Sequence, residues 1–356
     1  MISDQYFKGI EAYDGFAIKS CADINEEASR KKAEQFGVSS VSVKELLADP
    51  EIELVLNLTI PRVHAEVNTQ ILEAGKHAYC EKPFARSREE GMKVMELARE
   101  KNLQVGCAPD TFLGAGQQTA RALIDQGAIG RPIAGSFFML SGGVDFWHTN
   151  PGFYYQPGGG PLLDMGPYYH TTLVNLLGPV KSVTAGRSRA RNTRETLHAG
   201  TIPVEVDTHY SGILEFGDGV LVTSIFSFDA PGSGDLPCIE IYGSEGTLSV
   251  PNPNNFDGDN RIRIGRKSAG KPFPEWEIHT RQFTHAGHRG IGAIDLVTAL
   301  RNGKSPRASG QLAGHVLDVM LAYDDSAQSA SLARIESSCE RPAPVSENMP
   351  PRTWLA

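Results

Sequence analysis

At 356 residues the chain is long enough for two hydrophobic cores, and with 40% hydrophobic and 21% charged residues it is composed like an ordinary globular protein, which sets aside the disordered and fibrous classes. A net charge of -8 at pH 7, without clusters of Lys and Arg, excludes a nucleic-acid partner; with no leader-like start and no apolar run of about 18 residues, no membrane partner is expected either. Five cysteines without CxxC spacing fit reduced thiols in a cytoplasmic protein and support neither disulfides nor structural zinc.

The opening stretch, MISDQYFKGIEAYDGF, reads as a helix, and a short strand follows over Ala17 to Cys21. Asn25 caps a helix that ends near Gly37, Ser42-Val-Lys-Glu45 is a capping box, and Ser87-Arg-Glu-Glu90 is a second one before a helix running to Lys101. Apolar runs at Leu54 to Thr59, His77 to Cys80 and Gln104 to Cys107 read as buried parallel strands, so residues 1–110 form an α/β unit. A helix over Gly116 to Gln126 leads into residues 111–340, where the texture becomes that of an α+β domain with a large open, mostly antiparallel sheet. There THYSGILEFGDGVLVTSIFSF is a hairpin turning at Gly217-Asp218-Gly219, and CIEIYGSEGTLSV is a second strand pair. Helices are expected over Tyr168 to Leu177, Ile291 to Arg301 and Ala313 to Gln328, and residues 341–356 form a proline-containing tail lying extended over the surface.

In a dinucleotide-binding unit a first strand ends in a glycine-rich loop that approaches the pyrophosphate, and an acid about twenty residues further on holds the ribose hydroxyls. Asp23 stands at that spacing from Ser3. If Ser3 fills the last position of the fingerprint, both glycines and the first strand fall upstream of Met1, the two strands flanking that position lack a neighbour, and cofactor binding is weakened. Equally, residues 1–13 are open to reading as the first helix of another α/β fold.

Three separated motifs, NLTIPRVHAEV, HAYCEKPFARS and GGGPLLDMGPYYHTTLVNLLG, occur in an order that resembles the glucose-fructose oxidoreductase, inositol dehydrogenase and rhizopine-catabolism family of NAD(P)-dependent oxidoreductases. The resemblance runs from Ser3 to the helix ending near Gln328 and implies a Rossmann-like parallel sheet followed by an open sheet that carries substrate and oligomer contacts. It implies that Glu81-Lys82-Pro83 matches the EKP motif, with Lys82 beside the nicotinamide at a strand's carboxyl end. It also implies a D-x-G-x-H-x-x-D pattern from Asp164, but Tyr168 stands where the histidine falls and Thr171 where the second aspartate falls. The glucose-fructose oxidoreductase branch resembles this version. A tyrosine can act as base if a nearby ammonium and the cationic nicotinamide lower its pKa from about 10, and Lys82 would supply the ammonium. Asp164 then orients the pair or the substrate, or caps the Tyr168 helix; Tyr168 itself is open to reading as a core aromatic.

Catalysis is therefore expected from Lys82, Tyr168 and Asp164, and cofactor contacts from Ser3, Asp23, Ile24, Thr59, Ile60, Pro61, His64, Glu81 and Lys82. Substrate contacts are expected from Trp147, His148 and Tyr155 in VDFWHTNPGFYYQPGGG, and from His170 as the lesser of two readings, the other being structural. His64 has the alternative of merely opening a helix. His285, His288 and Arg289 resemble no metal site, and no metal is expected. Asp23 favours NAD over NADP, although Arg30, Lys31 and Lys32 nearby keep NADP open. The expected protein is a homo-oligomeric NAD(P)-dependent oxidoreductase acting on a sugar or polyol. Two rivals stay open: a redox-neutral, glycoside-cleaving relative and a non-catalytic binding or sensor protein.

Overall fold

The computed structural model describes residues 2–232, 234–265, 274–280, 287–347 and 352–354. The first helix, α1 (Ile2–Glu11), turns Tyr6, Phe7 and Ile10 inward. The unit continues as β1 (Ser20–Cys21), α2 (Glu26–Phe36), β2 (Ser39–Ser40), α3 (Val43–Ala48), β3 (Leu54–Asn57), α4 (His64–Glu73), β4 (His77–Cys80), α5 (Arg88–Glu100) and β5 (Val105–Cys107). All its strand pairs are parallel: β1 with β2, β3 with β4, and β4 with β5. They form two separate sheets, so among the described residues β1 and β3 each have a strand on one side only.

Local chemistry sets the boundaries. Asn25 accepts from the Glu27 and Ala28 amides, and Gly37 closes α2 in the left-handed region at φ 68°. Ser42 and Glu45 make the complete capping box. Ser87 makes only half of one: its hydroxyl accepts from the Glu90 amide, but the Glu90 carboxylate accepts instead from the Arg86 amide at 3.0 Å and the Arg86 guanidinium at 2.6 Å. β3 stops at Asn57, two residues early, because that side chain accepts from the Thr59 hydroxyl at 2.7 Å and donates to the His64 carbonyl at 2.9 Å.

The second unit contains α6 (Ala115–Asp125), β6 (Pro132–Leu140), α7 (Gly160–Leu177), β7 (Val180–Ser188), β8 (Thr193–Thr196), β9 (Gly200–Pro203), β10 (His209–Phe216), β11 (Leu221–Ser227), β12 (Ile239–Gly243), β13 (Gly246–Val250), β14 (Asn260–Ile264), β15 (Glu277–His279), α8 (Ile291–Arg301), α9 (Gly310–Ser329) and β16 (Ala333–Arg334). Nine strands lie in the order β15-β14-β13-β12-β6-β11-β10-β7-β16. Neighbours are antiparallel except β6 and β11, so the sheet is mixed. The β10–β11 hairpin turns where expected, with Asp218 at φ 56°. Phe137, Leu214, Phe226 and Ile241 point inward under α7 and α9, while the opposite face leaves Ile213 47% and Leu221 50% exposed. No helix among the described residues is long and apolar enough to cross a membrane.

Two expectations need correction. The helix read as starting at Tyr168 starts at Gly160, with Pro161 in its first turn and Pro167 inside it. A proline at the first turn is favourable, whereas Pro167 leaves the helix one hydrogen bond short and so gives the appearance of a boundary. The tail expected to lie extended over the surface is also pinned to the body of the protein and enters the core at its end. Arg121 donates to the Pro342 carbonyl at 2.8 Å, the Val345 amide donates to Gln118 at 2.9 Å, and Trp354 is buried in the core.

Candidate active site

Lys82 stands two residues beyond Cys80, the last residue of β4, and reaches across to α7. Its ammonium donates to the Asp164 carboxylate at 2.6 Å and to the Asp164 backbone carbonyl at 2.7 Å. Because Asp164 lies one turn inside α7 rather than before it, the helix-cap reading falls, and the reading in which it orients the pair or the substrate stays open. Burial opposes the Lys82 charge, but Asp164, Tyr168 and Glu81 outweigh it and hold the ammonium well above the usual lysine range. The same ammonium sits 5.3 Å from the centre of the Tyr168 ring, so Lys82, Asp164 and Tyr168 are brought together.

The protonation state of Tyr168 differs from expectation. Burial raises its phenol above the ordinary value, and the opposing pull of Lys82 and Arg289 does not cancel that. In the protein alone the hydroxyl is therefore neutral, poised to donate a proton. Glu81 is buried at the base of the site, where it accepts from the Tyr6 hydroxyl at 2.8 Å and from the Lys82 amide at 3.0 Å.

The remaining candidates for cofactor contact divide. Ser3 is half-buried in the first turn of α1. Asp23 and Ile24 follow β1 on an exposed rim, Ile24 being 98% exposed, with the Asp23 carboxylate accepting from the Asn25 amide at 2.8 Å. Thr59 and Ile60 are exposed beyond the carboxyl end of β3, and Pro61 is half-buried beside them. His64 is a strut and not a ligand contact. It is buried, with Nδ1 bonded to the Pro83 carbonyl at 2.8 Å and Nε2 to the Thr59 carbonyl at 2.9 Å. Both partners are acceptors, so the ring donates twice and carries charge.

On the substrate side, Trp147 is exposed, and His148 stands between it and Tyr154, ring centroids 5.3 and 5.2 Å away. Tyr155 is corrected. It is fully buried, its hydroxyl donates to Asp145, and the Arg194 guanidinium lies 5.1 Å from its ring in a network that also holds Asp229. The neighbouring Tyr154 faces the site instead: burial first, and then the Asp164 charge, raise its phenol to about 12 while Lys82 opposes them. His170 is also corrected. It is fully buried among Phe137, Phe226 and Tyr323 at 5.9, 5.5 and 5.7 Å, and touches no open surface.

Three contributors escaped the sequence reading. Tyr154 was hidden by its twin at 155, Asp110 by the lack of any motif, and Arg289 by distance along the chain. The Asp110 carboxylate accepts from the Gly290 and Gly292 amides at 2.7 and 3.2 Å. No group of three or more metal-ligating side chains gathers among the described residues; His285 lies outside them and His288 is exposed.

This arrangement has counterparts. A family model described as an oxidoreductase family with an NAD-binding Rossmann fold matches residues 1–108, and one described as the GFO/IDH/MocA C-terminal domain matches residues 117–249. Levoglucosan dehydrogenase of Pseudarthrobacter phenanthrenivorans is 27% identical over 252 residues, which cover 65% of this chain and 64% of that one. An uncharacterized oxidoreductase of Schizosaccharomyces pombe is 29% identical over 59% of this chain and 56% of its own, and the 1,5-anhydro-D-fructose reductase of Ensifer adhaerens is 29% identical over 60% and 61%. The chain thus spans less than two thirds of these relatives' length. In fold, a levoglucosan dehydrogenase in complex with NADH and levoglucosan superposes with a TM-score of 0.77 at 23% identity, over 95% of this chain and 98% of that one. With both units matched in order, and a lysine–aspartate pair where the parallel strands meet the open-sheet domain, the chain belongs to the GFO/IDH/MocA family of NAD-binding oxidoreductases.

Proposed function

We propose that this protein is an NAD(P)-dependent oxidoreductase that moves a hydride between a carbinol carbon of a sugar or polyol and the nicotinamide ring. The observation that carries this reading is the Lys82–Asp164 pair, 2.6 Å apart and beside the Tyr168 ring. The residues fit the cofactor. The Thr59–Ile60 rim, Lys82 and Asp23 all follow the carboxyl ends of parallel strands, where dinucleotides bind in such sheets, and Asp23 offers a carboxylate to ribose hydroxyls. When bound, the nicotinamide supplies the hydride acceptor or donor at its C4.

The chain's own residues handle the oxygen. Lys82 donates to the carbinol or carbonyl oxygen and stabilises negative charge on it, Asp164 aims the ammonium, and the Tyr168 hydroxyl exchanges the proton. NAD is favoured over NADP. Arg30 and Lys31 are already paired with Glu27, at 2.7 and 3.5 Å, and Lys32 is paired with Asp4, so the basic run after Asp23 is committed to acids on its own surface.

A sugar substrate is supported by the relatives named for levoglucosan and for D-xylose, and by the aromatic wall of Trp147, His148 and Tyr154, whose Tyr154 end feels the Asp164 charge. A homo-oligomer is supported by the open sheet face carrying Ile213, Leu221 and Tyr242; light scattering at monomer mass across micromolar concentrations would count against it.

The function is tested by following NADH formation with NAD and a panel of levoglucosan, D-xylose and myo-inositol, and NADH consumption with the corresponding keto sugars. Turnover in either direction supports the reading. No turnover with retained cofactor, together with glycoside cleavage, would replace it by the redox-neutral alternative. Ligand binding without any chemistry would make the protein a sensor.

A further inference from the structure

Tyr168 is flanked by two cations. Lys82 Nζ lies 5.3 Å from its ring centre, and the guanidinium carbon of Arg289 lies 5.2 Å from the same point. Arg289 belongs to the segment just before α8, far from both β4 and α7 in sequence, and it is held from several directions. Nη2 donates to the Asn254 side chain at 2.7 Å, and the guanidinium also stands 5.9 Å from the Phe256 ring. Its backbone is fixed as well. The next residue, Gly290, donates to the buried Asp110 carboxylate, and α1 presses so closely that a Cβ on Gly9 would fall 1.9 Å from the Arg289 carbonyl oxygen. Nη1 is buried and has no hydrogen-bond partner among the described residues. A surface arginine kept only for solubility would not be anchored at both ends with one nitrogen left unmatched beside a tyrosine.

We propose that Arg289 is a positioning residue of the candidate active site, the second of two fixed cations that stabilise negative charge on the Tyr168 oxygen when that oxygen takes the carbinol proton. The inference rests on the function proposed above. In the oxidising direction a bound nicotinamide would accept, as hydride, the electron pair of the carbinol C–H bond that breaks. The O–H proton passes to the Tyr168 oxygen, and the O–H electron pair becomes the second bond of the carbonyl. That transfer requires the tyrosine in its anionic form, which burial disfavours and which Lys82 and Arg289 favour.

The titratable groups facing Tyr168 are Lys82 and Glu81 from the end of β4, Asp164 on its own helix, Tyr154 from the turn at 152–155, and Arg289. Two of them are acids that raise its phenol. Lys82 is itself neutralised by Asp164 at 2.6 Å, whereas the described residues give Arg289 no carboxylate within ion-pair distance. Asp110 and Glu81 act on Arg289 without forming an ion pair with it, so Arg289 is the less compensated charge.

The test replaces Tyr168 with difluorotyrosine, whose phenol is intrinsically more acidic, and follows its ionisation by fluorine NMR in the otherwise unmodified full chain and in Arg289→Met, Arg289→Gln and Arg289→Lys backgrounds. An opposite charge at this separation is worth about one pH unit or more, so the midpoint should rise by about one unit, a roughly tenfold fall in ionisation constant, for the two charge-removing variants and stay near the parent value for Arg289→Lys. Two charge-removing side chains of similar length are used so that a folding defect in one leaves the other to decide. An unchanged midpoint in a folded Met or Gln variant overturns the proposal. The measurement needs no substrate, so a moved midpoint in a protein that turns over no sugar would sink the proposed function and leave standing only the stabilisation of charge on Tyr168 by Arg289, and an unmoved midpoint in an active enzyme would do the reverse.

Discussion

Lys82 and Asp164 are joined twice, carboxylate and backbone carbonyl of one residue both accepting from one ammonium at 2.6 and 2.7 Å. The double contact fixes the lysine in two directions, so the strand end at Cys80 and the first turns of α7 define a single point in space. It also couples the two units of the chain through a charge pair that is only slightly exposed.

Removing the ammonium should be costly for chemistry and nearly neutral for cofactor affinity. Lys82→Ala is expected to lower kcat by roughly 100-fold or more, the range for lost acid–base and electrostatic assistance. Asp164→Asn keeps the shape but frees the ammonium, and should lower kcat less while raising KM. Single-turnover kinetics and NAD calorimetry check both, and near-normal rates in Lys82→Ala would remove it from the mechanism.

Tyr168 gives the pH dependence its direction. Because burial holds the phenol protonated beyond its ordinary range, carbonyl reduction should run well at neutral pH and fade as the pH rises, while carbinol oxidation should keep climbing through the alkaline range. Tyr168→Phe should cut both rates strongly and flatten both profiles. Profiles of kcat measured in the two directions decide this, and parallel rather than opposite slopes would exclude Tyr168 as the proton carrier.

How far the sequence carried depends on the range of the interaction. Caps at Asn25 and Ser42 and the Gly217-Asp218-Gly219 turn are contacts within four residues, and they were legible because backbone donors, carboxylates and positive φ leave marks on neighbouring positions. Lys82, Asp164 and Tyr168 could be singled out because a family resemblance supplied the long-range pairing that no local rule contains. Tyr154 and Tyr155 show the limit. Adjacent residues in a short turn point apart, and which one meets the site was decided by the Arg194–Asp145 network that claims Tyr155. Arg289 was illegible for the same reason, since Asp110, Gly9 and Asn254 place it from three distant parts of the chain.

His170 should register in acid stability and not in turnover. Burial first, and then the nearby His315, lower its pKa to about 3, and neither ring nitrogen has a partner among the described residues. The unfolded chain protonates this residue below about 6.5 and the folded chain does not, so its contribution is present above that pH and is lost toward pH 3 at about 1.4 kcal/mol per unit. His170→Leu should leave kcat/KM unchanged, match or exceed the parent's stability at neutral pH by about 1 kcal/mol, and move the acid unfolding midpoint downward. A selective rise in KM with an unmoved acid midpoint would return His170 to the substrate site.

Trp354 offers the sharpest test of how the end of the chain is used. Its indole Nε1 donates to the buried Asp295 carboxylate at 2.9 Å, its ring meets Tyr13 edge-on at 6.2 Å, and the Arg307 guanidinium that pairs with Asp295 lies 5.9 Å from the same ring. Two residues earlier Arg352 accepts from the Asp14 amide at 2.9 Å and donates to the Asp14 carboxylate at 2.8 Å. These contacts close over the end of α1, whose Tyr6 holds Glu81, so the tail supports the floor of the candidate site from behind. Truncating a buried aromatic of this kind costs about 3–5 kcal/mol, and Trp354→Ala should lose that much in urea unfolding. Trp354→Phe should lose less, about 1–2 kcal/mol, because it keeps most of the packing and forfeits the donor to Asp295. If α1 is held in place by the tail, NAD affinity should fall in Trp354→Ala along with stability. A variant within about 0.5 kcal/mol of the parent would show that the tail rests on the core without holding it.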